Sequence, residues 1–167
     1  GETKESHMTT ENDPRTTLID LLPKFRFAMV TTVDDDGALT ARPLTVQDHE
    51  FDGDLWFIVP RDSAVVAHIA TRPGVGVALS SNDAWVSIAG RAEVVEDPAR
   101  LREYWSSAVE AWFPEGPEDP NITLLKVDAA SAEYWSSPGG VVATVVSLVK
   151  SKITGEPYEG ENDTVQL

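Results

Sequence analysis

Turn signals punctuate this chain so often that few of the runs between them are long enough for a helix. Asp36-Gly37, Asp52-Gly53, Pro73-Gly74 and Asn82-Asp83 separate runs rich in β-branched, aromatic and other apolar residues. An Asp-Gly step between such runs marks a hairpin, because glycine accepts the positive φ that a tight turn demands. Strands are therefore predicted over 27–33, 38–46, 55–59, 74–81, 84–95, 122–127 and 132–135. The run Leu55-Trp56-Phe57-Ile58-Val59 has no polar alternation, the pattern of a buried strand, and Pro60 ends it.

Helical periodicity occupies the gaps. Asn12-Asp13-Pro14 precedes Leu18, Ile19, Leu21 and Leu22, the pattern of a capped short helix that ends by Pro23 and packs on the barrel. Asp62 or Ser63 can cap a second helix through Val65, Val66 and Ile69, which stops at Arg72-Pro73-Gly74. Asp97-Pro98 opens a third, with Leu101, Tyr104, Trp105, Ala108 and Trp112 at three- and four-residue spacings. Val141 to Lys152 is predicted as a terminal helix, followed from about residue 155 by a polar tail lying over the surface or a partner. Short strands joined by tight turns, with helices inserted between them, fit a mainly β, closed antiparallel barrel with peripheral helices rather than a parallel α/β sheet.

The 167 residues suffice for one domain, which buries roughly 70% of its unfolded surface. Residues 1–7 are read as an expression-tag remnant and 8–167 as the domain, so His7 is set aside. With 28 acidic against 13 basic side chains, the net charge of -15 repels polyanions, and neither nucleic acid nor an acidic membrane surface is an expected partner. No cysteine is present, and no apolar run approaches the roughly 20 residues that span a bilayer. The expectation is a soluble, cytoplasmic protein.

Among chemical motifs, Thr40-Ala41-Arg42-Pro43-Leu44 places a lone Arg on a strand, where a guanidinium can grip an anion bidentately. Pro43 removes a ladder donor and suits an edge or bulge open to a ligand. Ser63 reads first as a helix N-cap and second as a phosphate ligand. Trp105 and Trp135 read as core; Trp112, before the Pro-rich turn Pro114 to Pro120, fits core and ligand-stacking roles equally and is counted among the candidate cofactor-binding residues. His49 and His68 have no second His at metal spacing, and Asp34-Asp35-Asp36 lacks the spaced acidic pattern of a calcium loop, so no metal is expected. Gly74-Val75-Gly76 runs into a strand-like segment instead of a helix, which excludes a dinucleotide fingerprint.

Together, Met29-Val30-Thr31-Thr32, Asp36-Gly37, Ala41-Arg42-Pro43-Leu44, Leu55-Trp56-Phe57, Gly90 and the block from Trp112-Phe113-Pro114 to Asp119-Pro120 resemble the general stress protein 26 branch of the pyridoxamine 5'-phosphate oxidase-like proteins. The resemblance implies an FMN-binding split barrel and a homodimer with two flavin clefts between subunits. It implies that the strand of Arg42, Pro43 and Leu44 lies along the flavin beside Ile58 and Val59. It places the phosphate at the helix start from Arg61 to Val65, including Ser63, and Trp85 near the cofactor. Ala64 and Val65 stand where relatives usually carry a base after the serine. Two functions stay open on this evidence: an FMN-dependent oxidoreductase of unknown substrate, or a non-catalytic dimer binding flavin weakly, a different small molecule such as F420, or nothing. Classical pyridoxamine phosphate oxidation is not expected, since no basic cluster offers a second phosphate site.

Overall fold

The computed structural model describes residues 14–47, 51–136, 144–147 and 165–166. Helix α1 spans Pro14–Leu21 and runs on as a 3-10 turn, Leu22–Lys24, through Pro23. Then follow β1 (Phe27–Val33), β2 (Leu39–Thr45), β3 (Asp54–Pro60), α2 (Ala64–Thr71), β4 (Gly74–Ser80) and β5 (Ala84–Val95). Helices α3 (Pro98–Tyr104) and α4 (Ser107–Trp112) precede β6 (Ile122–Ser136), β7 (Thr144–Ser147) and β8 (Val165–Gln166). The β1–β2 hairpin forms where Asp-Gly predicts it. Gly37 has φ 85°, and the Asp34 carboxylate accepts the Asp36 and Ala38 N–H groups, each at 2.9 Å.

All pairings are antiparallel, in the order β2-β1-β4-β5-β6-β7-β8, with β3 added to β6. Strand β6 organises the barrel. Along one edge it pairs with the whole of β5; along the other its first half pairs with β3 and its second half with β7. The register shifts between the halves, with Ala89 opposite Ser131 and Gly90 opposite Ala129, so Ala130 is an extra residue on β6. Such a bulge bends the strand and increases its twist, and this bend splits the barrel. Gly90 is needed there, because a Cβ at this position would lie 2.5 Å from the Asp128 carbonyl oxygen.

The unbroken apolar run of β3 has a tertiary cause. Leu55, Phe57 and Val59 face the main core with Leu18, Val30, Val77, Ile88 and Val127. Trp56 and Ile58 face a second core with Leu101, Val109, Ile122 and Leu124, formed where α3 and α4 cover the back of β3 and β6. A strand buried on both faces cannot alternate. Each large side chain fully buried here, Phe57 among them, contributes about 1.5–3 kcal/mol of hydrophobic stabilisation.

Three sequence expectations are corrected. The helix predicted over 141–152 is strand where it is described: Thr144–Ser147 pairs with β6 from Ser131 to Tyr134, because the second half of β6 offers an edge that β3 leaves free. The helix from Asp97 to Trp112 is two helices. The backbone turns extended at Trp105 and Ser106, and the Ser106 hydroxyl caps α4 by accepting the Val109 N–H at 3.3 Å. The two closing strands are the single bent β6. Of the polar tail only Val165–Gln166 is described, as a strand on β7; residues 1–7 and His49 lie outside the described residues.

Candidate functional site

Strand alternation turns Thr40, Arg42 and Leu44 inward from edge strand β2, toward Val30 and Thr32 on β1. There the Arg42 guanidinium is held on three sides. Its Nη1 donates to the Val30 carbonyl at 3.1 Å and to Thr32 Oγ1 at 2.7 Å, and its Nη2 donates to Thr40 Oγ1 at 3.0 Å. Of the five N–H donors of an arginine, Nε–H and one hydrogen of Nη2 take no partner among the described residues. Burial pulls the Arg42 pKa down from its ordinary value, yet the group stays fully charged.

Thr32 is fully buried, and its hydroxyl also lies 2.8 Å from His68 Nδ1 on α2. Arginine can only donate, so Thr32 Oγ1 accepts from Arg42, and the tautomer of His68 sets which of Oγ1 and Nδ1 donates in the second contact. The relay Arg42–Thr32–His68 thus locks the edge of β2 to helix α2. Its members are 10 and 36 residues apart in sequence. Neither Thr32 nor His68 carries a local signal of this role.

The start of α2 is arranged differently. Ser63 occupies the N-cap position, but its hydroxyl donates to the Pro60 carbonyl at 2.7 Å and caps nothing. Among the described residues, the first N–H groups of α2 are therefore without a side-chain cap, at the positive end of the helix dipole. Arg61 is committed elsewhere: Nε donates to the Pro120 carbonyl at 2.7 Å, and both Nη atoms reach the Glu96 carboxylate, Nη2 at 2.7 Å. This pair raises the Arg61 pKa and holds the Glu96 carboxyl below its usual range. Beside it, Asp62 accepts the Asn121 side-chain amide at 3.2 Å.

The other expected residues are dispersed. Ile58 is buried in the second core and Val59 in the main core, so neither presents its side chain to an open site. Pro43 is exposed opposite Met29 on the outer face of the sheet, and Leu44 packs against the main core. Trp85 is 41% exposed and sits directly across from the half-buried Trp135. Trp105 packs with Phe113 on the second core, and Trp112, 63% exposed, lies at the mouth of a large cleft between β3 and the α3–α4 pair.

The model of the family described as "Pyridoxamine 5'-phosphate oxidase like" matches residues 13–159. The chain is 28% identical over 144 residues to Protein bli-3 of Neurospora crassa, covering 79% of this chain and 69% of that one. A crystal structure of the general stress FMN/FAD binding protein from Xanthomonas citri is 32% identical, with a TM-score of 0.61 over 77% of this chain and 92% of that one. A putative general stress protein 26 from Jannaschia is 27% identical, with a TM-score of 0.64 over 75% and 80%.

Proposed function

This chain belongs to the pyridoxamine 5'-phosphate oxidase-like family, and from that premise we propose that it is a homodimer that binds FMN and acts as an oxidoreductase. The state of Arg42 carries this reading. Its guanidinium is held rigidly, is partly buried, and keeps Nε–H and one Nη2 hydrogen for an anionic or carbonyl oxygen, the geometry of a side-on bidentate contact. The uncapped start of α2 fits a phosphate by the same logic, since backbone N–H groups and the helix dipole favour an anion there. FMN, when bound, supplies the electron transfer; Arg42 binds and orients it. The similar protein from Xanthomonas citri is an FMN/FAD binding protein, which supports the same cofactor here.

A second copy of the chain has a surface to dock on. Leu39, Ala41 and Pro43 on β2, Phe27 and Met29 on β1, and Ala78 on β4 share the outer face of the sheet, and none of the outward residues of these three strands is charged. Phe27, Met29 and Leu39 are 48%, 44% and 74% exposed. An apolar face of this kind on so acidic a chain is suited to a like surface.

One observation favours a weak-binding variant of the same function. With Ala64 and Val65 following Ser63, and Arg61 tied to Glu96, the cations expected around a flavin phosphate are reduced to Arg42. FMN titration followed by quenching of flavin fluorescence tests the proposal. Saturable binding is expected, weakened about 10- to 100-fold by Arg42→Ala, as loss of a hydrogen bond to a charged group worth roughly 1.5–3 kcal/mol predicts. FMN fluorescence unchanged at saturating protein would overturn it. Light scattering tests the dimer: the wild type is expected at twice the chain mass and Met29→Glu at the chain mass, whereas a monomeric wild type refutes the assembly.

A further inference from the structure

Glu133 is a carboxylate without a counter-charge. It projects outward from β6, directly across from Ser87 on β5 and Val145 on β7, and is half-buried. Its Oε2 is buried with no hydrogen-bond partner, and no described residue forms an ion pair with it. The buried, unpartnered atom is Oε2 alone, which leaves Oε1 as the oxygen that a cation can approach. Enclosing a carboxylate in this way costs stability unless a donor or a cation meets it.

The sheet register sets this charge on an otherwise neutral surface. Pro43, Met29, Ala78, Ser87 and Glu133 form one outward row across β2, β1, β4, β5 and β6. The next row on one side, Ala41, Thr31, Gly76, Ala89 and Ser131, carries no charge, nor do Trp85 and Trp135 on the other. The cations stand at the opposite border of the same face. Lys24 and Arg26, both exposed, flank a hollow of about 340 Å³ that Phe27, Met29, Ala78 and Ser80 complete. Among the described residues neither forms an ion pair, and Arg26 only lies beside the Phe27 ring. In a chain of net charge -15, two adjacent unpaired cations on a neutral face are complementary to a carboxylate. They cannot meet Glu133 within one copy: β4 and β5 lie between β1 and β6, a lateral separation of about 14 Å at the usual strand spacing.

We propose that Glu133 of each copy enters this hollow on the other and pairs with the partner's Lys24 and Arg26. The inference rests on the dimer reading above and specifies its symmetry operator. A twofold axis along the strands, between β4 and β5, lays β1 of one copy over β6 of the other, so the contact occurs twice and closes the assembly. Sheets packed face to face lie about 10 Å apart, a gap that an extended Lys or Arg and a Glu bridge together. The crossing angle of about 30° usual for such sheets accommodates the offset of Arg26 from the Met29 row. The pairing holds whether or not FMN binds.

The test uses the full-length protein and reads the dimer dissociation constant by sedimentation equilibrium, with circular dichroism confirming that each variant is folded. Glu133→Lys, and separately the double variant Lys24→Glu with Arg26→Glu, set like charges at both contacts and are each expected to weaken the dimer at least 100-fold. Mixed in equal amounts, the two proteins are expected to form a heterodimer of near wild-type affinity, because both contacts then join opposite charges. If a reversed charge unfolds the chain, a neutral cycle decides. Glu133→Gln, and Lys24→Gln with Arg26→Gln, are each expected to weaken the dimer about tenfold, and their combination no more than either alone. Variants that dimerise like the wild type, a mixture that stays monomeric, or neutral effects that add would each overturn the pairing while the dimer stands. A monomeric wild type refutes the dimer reading itself, and this inference with it.

Discussion

Replacing Gly90 with alanine tests whether the bend in β6 is a steric requirement of this sheet. The new Cβ would lie 2.5 Å from the Asp128 carbonyl oxygen, 3.0 Å from Val127 Cγ1 and 3.1 Å from the Asp128 carbonyl carbon, whereas ordinary contact begins at 3.4 Å. The obstructing atoms are mainly backbone, part of a strand paired on both edges, so relief of about 0.9 Å must come from the β5–β6 ladder itself. Overpacking of this kind costs about 1–3 kcal/mol. The opposing gain, from the smaller conformational freedom of alanine in the unfolded chain, is about 0.4–1 kcal/mol. A net loss of about 1–2 kcal/mol lowers the melting temperature by roughly 2–8 °C in a domain of this size. Gly74→Ala and Gly76→Ala are the controls. A Cβ at Gly74 meets nothing within 4 Å, and one at Gly76 meets only Thr31 Cβ at 4.0 Å, so both are expected to be neutral or stabilising. Thermal and urea unfolding of the three variants decide the matter. If Gly90→Ala is as stable as Gly74→Ala, the close approach at the bulge does not constrain the fold and the steric account of the bend is wrong.

Thr32→Val keeps the shape of the buried side chain but leaves His68 Nδ1 and one Arg42 donor without this partner, at an expected cost of about 1–3 kcal/mol in stability; Thr32→Ser should restore most of the loss, and failure to do so would mean that packing, not the hydroxyl, is what Thr32 contributes. The Glu96 carboxyl has its folded pKa lowered chiefly by its hydrogen bond from Arg61, so the stability it confers is present above the ordinary carboxylate pKa and is lost as pH falls through the lowered folded value. Because the pair is exposed and screened, Arg61→Ala should destabilise by at most about 1 kcal/mol at pH 7, with a difference from wild type that shrinks in urea melts as the pH falls below the ordinary carboxylate range; a difference that grows on acidification contradicts the assignment. Asp97→Ala removes the acceptor of the Arg100 N–H at the start of α3, for an expected loss of about 1 kcal/mol by chemical denaturation, and an unchanged midpoint would show that the helix is held by its packing alone.

Much of the architecture was legible in the residues. Asp36-Gly37 fixed a hairpin, the Leu55–Val59 run a buried strand, and Asp97-Pro98 a helix start, because each is a local rule about φ, alternation or capping. Errors arose where local rules compete. Residues 98–112 carry helical periodicity throughout, yet the chain breaks at Trp105 and Ser106, where a side-chain cap restarts the helix. The segment 144–147 is apolar enough for helix or strand, and an available edge on β6 decided between them.

For the candidate site the division is sharper. The sequence alone could nominate Arg42 from its Arg-Pro context and Arg61 and Ser63 from their place before a helix. Only tertiary structure determined that Arg42 leans on Thr32 and His68, that Arg61 is bound by Glu96 35 residues away, and that Ser63 turns its hydroxyl back to Pro60. Hydrogen-bond partners of long side chains depend on which strands become neighbours, and no short-range pattern encodes that. The aromatic cleft is the clearest case. The sequence supplied its rings one at a time with ordinary core spacings, and the packing of the α3–α4 segment opposite β3 and the stretches before β1 and β3 brought eight of them around one space. Spacing along a chain specifies which face a side chain occupies, while the packing of whole elements specifies what it meets there.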